Sequence, residues 1–334
     1  MMRRFASALS LTAAVSLLCA GTPAMAQPVA FDHVFVIMME NQSFDEVVGR
    51  NVEDPSGNPT GAFDTPFVTF TAPALSGFAF QYFGVTHPSL PNYLSTIAGN
   101  FFKIQDDNPS CYAQPAPGPG CHQISSTNLV DSLENAGLTW TVLEESAPKV
   151  GYLGPTYPDS GPTLYAQKHN PFLYFTDIAT NPKRLARIEP LNEKYLSAAL
   201  ANPTNLTYIV PNQCHDMHGT STCSNYDALL HSGDTYLQSL VQTIVTSSAF
   251  TSKSALFVVW DEDDYSSRQA CCSSPKGDGG GHTLGMVFSA TSAGKQSLVP
   301  YNEYSLLRTI EEGFNLPYLG NSGNADVVSM WALF

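Results

Sequence analysis

The sequence is poor in charge, and positive charge is the scarcer kind. Charged residues make up 13% of its 334 residues, about half the share usual for a globular chain. Lys and Arg number 15 against 29 Asp and Glu, which gives a net charge of −14 at neutral pH. Because binding to a phosphate backbone depends on clustered cations, this balance disfavours nucleic acid as a partner and gives no attraction to an anionic membrane.

Long apolar runs and nucleotide-binding motifs are also missing. After the first 26 residues, no uninterrupted apolar stretch reaches the ~18 residues of a membrane-spanning helix, so no stable membrane anchor is expected. No Lys-Ser/Thr pair follows a GxxxxG spacing, which excludes a nucleotide P-loop. Internal repeats and domain linkers are not visible, and residues 27–334 are predicted to form a single domain.

The first 26 residues have the pattern of an export signal. Arg3 and Arg4 precede an apolar stretch from Phe5 to Ala20, and Ala24-Met25-Ala26 is the small-x-small pattern that signal peptidases cut. The alternative is a membrane anchor, which the short and interrupted apolar stretch disfavours. We predict cleavage near Ala26 and delivery to the periplasm or the medium.

Cysteines are few, and their number is even once the signal is removed. Cys19 lies in the signal, which leaves six of the seven cysteines. An even number in an oxidising compartment favours disulfides over metal thiolates. Of the ~15 connectivities that six cysteines allow, proximity favours Cys111 with Cys121, Cys214 with Cys223, and Cys271 with Cys272, although the last two could also pair elsewhere.

Short apolar runs that end in polar clusters indicate buried strands. Val34–Met39 ends at Glu40-Asn41, and Leu256–Trp260 ends at Asp261-Glu262. Similar runs occur at Thr139–Leu143, Leu206–Val210 and Leu284–Ser289. Helices are predicted between the strands, at 126–136, 191–200 and 236–247. The pattern is typical of a doubly wound α/β fold, with a parallel or mixed sheet covered by helices.

In such sheets ligands bind beyond the carboxyl ends of the strands, where Glu40, Asp216 and Asp261 are expected to meet. Oxygen ligands at two of these strand ends come from Glu40 with Asn41 and from Asp261 with Glu262. Their oxygens suit magnesium, calcium or manganese, and a nearby histidine would also admit zinc. For any one of these residues alone, a helix cap or a turn is the stronger interpretation. The group favours a metal site, because carboxylates packed together repel unless a cation or proton intervenes.

Ser89 lies in a segment that predicts the start of a helix. Pro91 suits a first helical position, and the helix is predicted to end near Ala98, before Gly99. Unpaired N–H groups and the positive end of the helix dipole at Ser89 would stabilise a serine alkoxide or a bound phosphate. The alternative is that Ser89 is only an N-cap.

Two histidine-containing segments allow either a functional or a structural interpretation. Asp216 and His218 could share one side of an extended segment, or lie in a polar loop beside a disulfide. His282 follows three glycines, which would let the backbone approach an anion or a metal, but a surface loop has the same composition.

Taken together, six segments resemble the phosphoesterase family of bacterial acid phosphatases and phospholipases C, in the alkaline-phosphatase-like superfamily. The segments are FDHVFVIMMENQSFD (31–45), THPSLPNYLSTIAGN (86–100), KHNPFLYF (168–175), PNQCHDMH (211–218), VVWDEDD (258–264) and SLLRTIEEGFNLPYLG (305–320). The resemblance implies an alkaline-phosphatase-like α/β fold: a central mixed, mostly parallel sheet flanked by helices on both faces.

The resemblance also implies a role for each matching residue. It makes Glu40, Asn41, Asp261 and Glu262 the ligands of a divalent metal cation, with calcium, magnesium, manganese and zinc all open, and Ser89 the nucleophile. The histidines that it implies in catalysis are His169, His218 and His282. Asp216 and Asn92 are implied to contact the substrate, and the positions of Asp216, His218 and His282 resemble ones that in the wider superfamily could instead hold a second metal.

The expected function is that of a secreted acid phosphatase, which hydrolyses phosphate monoesters, phospholipid headgroups included, through a phosphoserine. A phospholipase C-type phosphodiesterase is the alternative, but it would need a wider or more apolar pocket, and Tyr93 stands where many such enzymes have Arg. Phe78, Phe80, Tyr82 and Phe83 could line that pocket, although their strand spacing favours core. A third interpretation is a non-catalytic secreted protein whose acidic clusters hold structural calcium.

Overall fold

A computed structural model describes residues 31–48 and 64–334; the predicted signal, residues 1–26, lies outside the described residues. The strands are β1 (His33–Met39), β2 (Gly77–Phe83), β3 (Trp140–Glu145), β4 (Thr156–Tyr157), β5 (Tyr165–Ala166), β6 (Ile188–Leu191), β7 (Leu206–Val210), β8 (Ser254–Trp260), β9 (His282–Ser289) and β10 (Gln296–Ser297). The described part of the chain contains no helix with the length and apolar character that a membrane span needs.

The α-helices are α1 (Phe44–Val47), α2 (Ala72–Leu75), α3 (Ser89–Ala98), α4 (Leu129–Asn135), α5 (Thr176–Ala179), α6 (Pro182–Leu185), α7 (Glu193–Ala201), α8 (Tyr226–Val245) and α9 (Glu303–Phe314). A π-helical turn occupies Phe67–Thr71, and 3₁₀ turns occupy Gln167–His169, Pro171–Tyr174, Gly320–Gly323 and Met330–Leu333.

Eight of the described strands form one sheet in the order β10-β2-β9-β8-β1-β7-β3-β6. β9 runs antiparallel to β2 and β8, whereas the other neighbouring pairs are parallel. The sheet is therefore mixed and mostly parallel, which confirms the expected fold class.

Helices cover both faces of this sheet, and the alternation of side chains along β1 shows why. Val34, Val36 and Met38 belong to a hydrophobic cluster that includes side chains of α3, α4 and α9. Phe35, Ile37 and Met39 belong to a second cluster, which includes side chains of α8. Because successive side chains of a strand point to opposite faces, a continuous apolar run needs a covering layer on each side.

The predicted helices are present, but two of them begin earlier than expected. α3 begins at Ser89 rather than Pro91, and it ends before Gly99, whose φ of 62° is left-handed. A proline in the first turn is tolerated because the N–H groups there have no partner within the helix. α8 begins at Tyr226, where the side chain of Asn225 caps it by accepting from the N–H of Ala228.

Disulfides join the three cysteine pairs that proximity favoured: Cys111–Cys121, Cys214–Cys223 and Cys271–Cys272. The aromatic run of β2 also follows the favoured interpretation, because Phe78 and Tyr82 are fully buried and Phe83 nearly so.

Candidate active site

Two neighbouring parallel strands end in acidic residues at the same edge of the sheet. The last residue of β1 pairs with the last residue of β8, so Glu40 and Asp261 follow at the same level. The backbone N–H of Asn41 donates to Asp261 Oδ1 at 3.0 Å. Glu40, Asp261 and Glu262 are all buried. The sheet register therefore places these residues together, as the sequence predicted.

Ser89 is the first residue of α3, and its side chain lies against two of these carboxylates. Its hydroxyl oxygen lies 3.2 Å from Glu40 Oε2 and 3.4 Å from Glu262 Oε1, and its one hydrogen can be donated to either of them. The N-cap of the helix is Pro88, so the interpretation of Ser89 as an N-cap is wrong. One first-turn N–H group is already taken, because Leu90 N donates to Asp107 Oδ1 at 3.0 Å.

The acidic group has the features of a cation site. Asn41 Oδ1 and Asp261 Oδ2 are buried and have no hydrogen-bond partner among the described residues. Burial, followed by the charge of Glu40, raises the pKa of Asp261 well above its usual range. Burial raises the pKa of Glu262 to about 7, with Glu40 adding to the shift. A divalent cation would use the unpartnered oxygens and relieve the repulsion, so these residues fit a metal.

His169 lies between two carboxylates of the same region. Its Nε2 is 2.8 Å from Glu40 Oε1, and its Nδ1 is 3.5 Å from Asp216 Oδ2. Burial lowers the pKa of His169, but Glu40 and Asp216 outweigh it and raise that pKa to about 9. Ligand atoms of Glu40, His169 and His218 also lie within 4.8 Å of one another, which makes these three residues a second group able to hold a metal.

Asp216 and Asn92, which the resemblance assigned to substrate contact, are bonded to other residues of the site. Asp216 Oδ1 accepts a hydrogen bond from the backbone N–H of His218 at 2.7 Å. The Asn92 amide donates to Glu262 Oε2 at 3.2 Å and to the Thr86 carbonyl at 2.6 Å, and its oxygen accepts from Thr86 N. These contacts position His218 and Glu262.

His282 contacts aromatic residues and a backbone carbonyl rather than the carboxylates around Ser89. Its Nε2 is 2.9 Å from the carbonyl oxygen of Phe80, and its ring stacks on Phe44 at 4.8 Å and packs near Phe83 at 5.2 Å. His282 opens β9, and pairing with β2 turns its side chain toward these aromatic rings. The contacts therefore do not support the catalytic role that the sequence suggested.

His87 belongs to the site, although sequence reasoning did not select it. Its Nδ1 is 2.9 Å from Glu262 Oε2, its Nε2 is 3.3 Å from Asp263 Oδ1, and its ring stacks on Tyr265 at 4.1 Å. Burial lowers the pKa of His87, but Asp263 and Glu262 raise it to about 9. Its place in the motif that contains Ser89 was the available signal.

Lys168 is the second residue that sequence reasoning missed. Its ammonium group lies 3.2 Å from Ser89 Oγ, 3.0 Å from Asp107 Oδ2 and 3.3 Å from His218 Nε2. The sequence feature that could have identified Lys168 is its position directly before His169 in the chain.

The sequence from residue 60 to residue 317 matches the Phosphoesterase family. The chain belongs to this family. The match covers most of the described sheet and the residues Ser89, His169, His218 and Asp261, and it confirms the resemblance seen in the motifs.

The sequence of this chain is similar over much of its length to the sequences of several proteins named as phosphatases. The phosphatidylinositol-3-phosphatase of Mycobacterium tuberculosis is 29% identical over 312 residues, 93% of this chain and 86% of that protein. The probable acid phosphatase of Kluyveromyces lactis is 24% identical over 307 residues, 91% of this chain and 63% of that protein. An Aspergillus fumigatus acid phosphatase is 24% identical over 244 residues, 72% of this chain but only 48% of its own length.

Solved structures share the fold at low identity. An alkaline phosphatase superfamily protein from Vibrio parahaemolyticus superposes with a TM-score of 0.53 at 10% identity, covering 86% of this chain and 68% of that one. The lipoteichoic acid synthase LtaP of Listeria monocytogenes gives 0.51 at 10% identity, covering 91% and 76%. The phosphoesterase chain therefore has the fold of the alkaline phosphatase superfamily.

Proposed function

We propose that this protein is a metal-dependent phosphomonoesterase of the acid phosphatase type, which works through a phosphoserine at Ser89. The observation that carries the proposal is the buried Ser89 hydroxyl, within 3.4 Å of carboxylate oxygens of both Glu40 and Glu262. These oxygens can accept the serine proton, and the positive end of the α3 dipole favours the negative charge that develops on Oγ. The phosphatase names of the relatives support phosphate esters as substrates.

A divalent cation bound here would supply positive charge that holds the phosphoryl group and offsets its repulsion of the serine oxygen. We assign Glu40, Asn41, Asp261 and Glu262 as its ligands, with calcium, magnesium, manganese and zinc all compatible with the donors. The second group, Glu40, His169 and His218, shares Glu40 with this set, and its histidine nitrogens would suit zinc.

The chemistry proceeds in two displacements. Ser89 Oγ attacks phosphorus and gives its proton to Glu40 Oε2, 3.2 Å away, while the bond to the leaving oxygen breaks. The leaving oxygen takes a proton from His169, with His218 held nearby through Asp216. Water then attacks phosphorus, one of its protons returns to Ser89 as the Oγ–phosphorus bond breaks, and phosphate leaves. Proton transfer across the 2.8 Å contact between Glu40 and His169 restores the starting state.

Monoesters are the proposed substrates in preference to the diesters of a phospholipase C. A diester needs space for a second substituent, and three of the four aromatic side chains that could have lined such a cleft, Phe78, Tyr82 and Phe83, are buried, whereas Phe80 is partly exposed. The non-catalytic calcium-binding alternative does not account for a serine hydroxyl held against two carboxylates. Export is part of the proposal, because three disulfides suit an oxidising compartment.

The test compares hydrolysis of p-nitrophenyl phosphate, bis-p-nitrophenyl phosphate and p-nitrophenyl phosphorylcholine from acidic to alkaline pH, with and without a chelator. The variants are Ser89→Ala and a matched control, Ser95→Ala, which removes a buried hydroxyl of the same helix that donates to the Pro91 carbonyl. We expect monoester turnover that is lost in Ser89→Ala and with chelator, and retained in Ser95→Ala.

Trapping of a phosphoenzyme by acid quench adds a direct readout. Wild type incubated with labelled monoester should carry phosphate on Ser89, and Ser89→Ala should carry none. Preferential turnover of the diesters would replace the proposal with a phospholipase C activity. Absence of turnover by folded, metal-loaded protein would favour the calcium-binding alternative.

A further inference from the structure

The Lys168 side chain holds its ammonium group directly against the proposed nucleophile. The ammonium has three N–H donors, and three acceptors surround it: Asp107 Oδ2 at 3.0 Å, Ser89 Oγ at 3.2 Å and His218 Nε2 at 3.3 Å. The side chain is only 17% exposed. Every donor thus has a partner in a site that is mostly closed to water.

The neighbouring hydrogen bonds fix where the protons lie. His218 Nδ1 is 2.9 Å from the carbonyl oxygen of Gly219, which can only accept, so Nδ1 carries the hydrogen. Nε2 of His218 then presents a lone pair, which suits it to accept from Lys168. Ser89 Oγ also accepts from Lys168, so its own hydrogen points to Glu40 or Glu262.

Asp107 anchors this ammonium to the helix that carries Ser89. One of its oxygens accepts from Leu90 N at 3.0 Å and the other accepts from Lys168. A shift of the lysine would therefore break its bond to Asp107, a residue that is itself bonded to the first turn of α3. This arrangement holds the charge in place beside Oγ before any substrate arrives, which is the condition for electrostatic stabilisation of a transition state.

The negative charge of the site means that a phosphate substrate needs a positive group there, and the Lys168 ammonium can supply it. Glu40, Asp261 and Glu262 surround Ser89, and a phosphate monoester brings further negative charge. Within residues 31–48 and 64–334, no Arg and no other Lys is hydrogen-bonded to Ser89 or to these three carboxylates. A cavity of about 330 Å³ lies on the side of Lys168 and Asp107, and its other lining residues, which include Pro155 and Thr163, are uncharged.

We propose that Lys168 is a catalytic residue of the phosphoryl transfer, in which its ammonium donates to an oxygen of the phosphoryl group as the Ser89 Oγ–phosphorus bond forms. A phosphoryl group bonded to Oγ carries its other oxygens next to that atom, within reach of a donor 3.2 Å away. The proposal rests on the proposed function, because it assumes that Ser89 is the nucleophile. Lys168 keeps its protons and only donates hydrogen bonds during the transfer, because the proton of Ser89 goes to a carboxylate.

The experiment replaces Lys168 with Met, Gln and Arg, and uses Lys149→Met as the matched control because Lys149 is exposed. Four quantities are measured for each purified protein: kcat/KM for p-nitrophenyl phosphate, the inhibition constant of inorganic phosphate, the bound metal content and the melting temperature. Gln keeps a donor without the charge, and Arg keeps the charge with a different shape.

We expect Lys168→Met and Lys168→Gln to lower kcat/KM by about 10²- to 10³-fold, as for the loss of one donor to a developing oxyanion. The phosphate inhibition constant should rise by about tenfold or more, because a charged hydrogen bond is lost. Lys168→Arg should recover part of both losses, and Lys149→Met should equal wild type. Metal content and melting temperature should stay close to wild type in the Gln variant.

Unchanged kcat/KM in Lys168→Gln would overturn the proposal, and so would lowered kcat/KM with unchanged phosphate inhibition. If both neutral variants fail to fold, Asp107→Asn decides the question, because it leaves the Lys168 ammonium in place but removes the carboxylate that anchors it. The kcat/KM of Asp107→Asn should then fall by a smaller factor than in the Lys168 variants. A wild-type kcat/KM in Asp107→Asn would refute the catalytic role of Lys168. Failure of the proposed function is distinct, because wild type itself would then lack monoesterase activity or Ser89→Ala would retain it.

Discussion

Replacement of Glu311 by Gln is expected to remove a large pH dependence from the free energy of unfolding. Glu311 lies in α9 with no exposed surface. Its Oε1 accepts from Leu319 N at 2.8 Å and its Oε2 accepts from the Ser322 hydroxyl at 2.6 Å. Burial raises the pKa of Glu311 from 4.5 to about 8, although the bonds from Ser322 and Leu319 and the charge of Arg308 oppose the shift.

The size of the effect follows from these two pKa values. The folded protein holds the Glu311 proton more tightly than the unfolded chain does, so the contribution to stability is fully present below pH 4.5 and is lost as pH rises through about 8. The slope is about 1.4 kcal/mol per pH unit, and across this window the loss is on the order of 5 kcal/mol.

Gln is a suitable replacement because the surrounding groups can accommodate an amide. Its oxygen can accept from Leu319 N and its NH₂ can donate to Ser322 Oγ, whose hydroxyl can then donate to the Leu319 carbonyl at 2.8 Å. The assay is urea denaturation followed by tryptophan fluorescence, with the disulfides kept oxidised, at several values between about pH 5 and pH 8.

The wild-type free energy of unfolding should fall toward pH 8 relative to that of Glu311→Gln, with nearly equal values near pH 5. Glu193→Gln is the control, because Glu193 is exposed in α7 and should keep the wild-type pH dependence. A constant difference between wild type and Glu311→Gln over the whole range would refute the reasoning, since it would mean that Glu311 is already ionised in the folded protein near pH 5.

Two further predictions concern residues outside the proposed chemistry. Asp234→Asn should lower the free energy of unfolding by about 1–3 kcal/mol, because the carboxylate accepts hydrogen bonds from both Phe67 N and Val68 N at 2.9 Å, whereas an amide oxygen can replace only one of its two acceptor oxygens. Equal urea midpoints for wild type and Asp234→Asn would contradict this prediction. Gly281→Ala should lower both the free energy of unfolding and kcat/KM. At φ +79° the added Cβ would lie 2.0 Å from Asp263 Oδ2 and would displace that carboxylate from His87. Normal kcat/KM in a folded variant would show that the contact between Asp263 and His87 is dispensable.

The fold class could be predicted from the sequence because burial leaves a local pattern. A strand covered on both faces, such as β1 or β8, is a short continuous apolar run, and its end is marked by the first polar residues, Glu40 or Asp261. Helix boundaries were less accurate where a polar residue determines them, as Asn225 does for α8. The strand order was not predictable, since pairing depends on contacts between segments that are distant in the chain.

The sequence by itself determined which residues lie at strand ends and helix starts, and this was sufficient to predict Glu40 and Asp261 at one edge of the sheet and Ser89 at the start of a helix. Only the tertiary structure decided that Lys168 lies beside Ser89 and His87 beside Glu262, because those pairs are 79 and 175 residues apart and no local pattern records such a distance. It also turned His282 toward aromatic rings, because pairing of β9 with β2 sets the side-chain direction. Periodicity encodes burial, whereas the contacts of a side chain depend on how the elements pack.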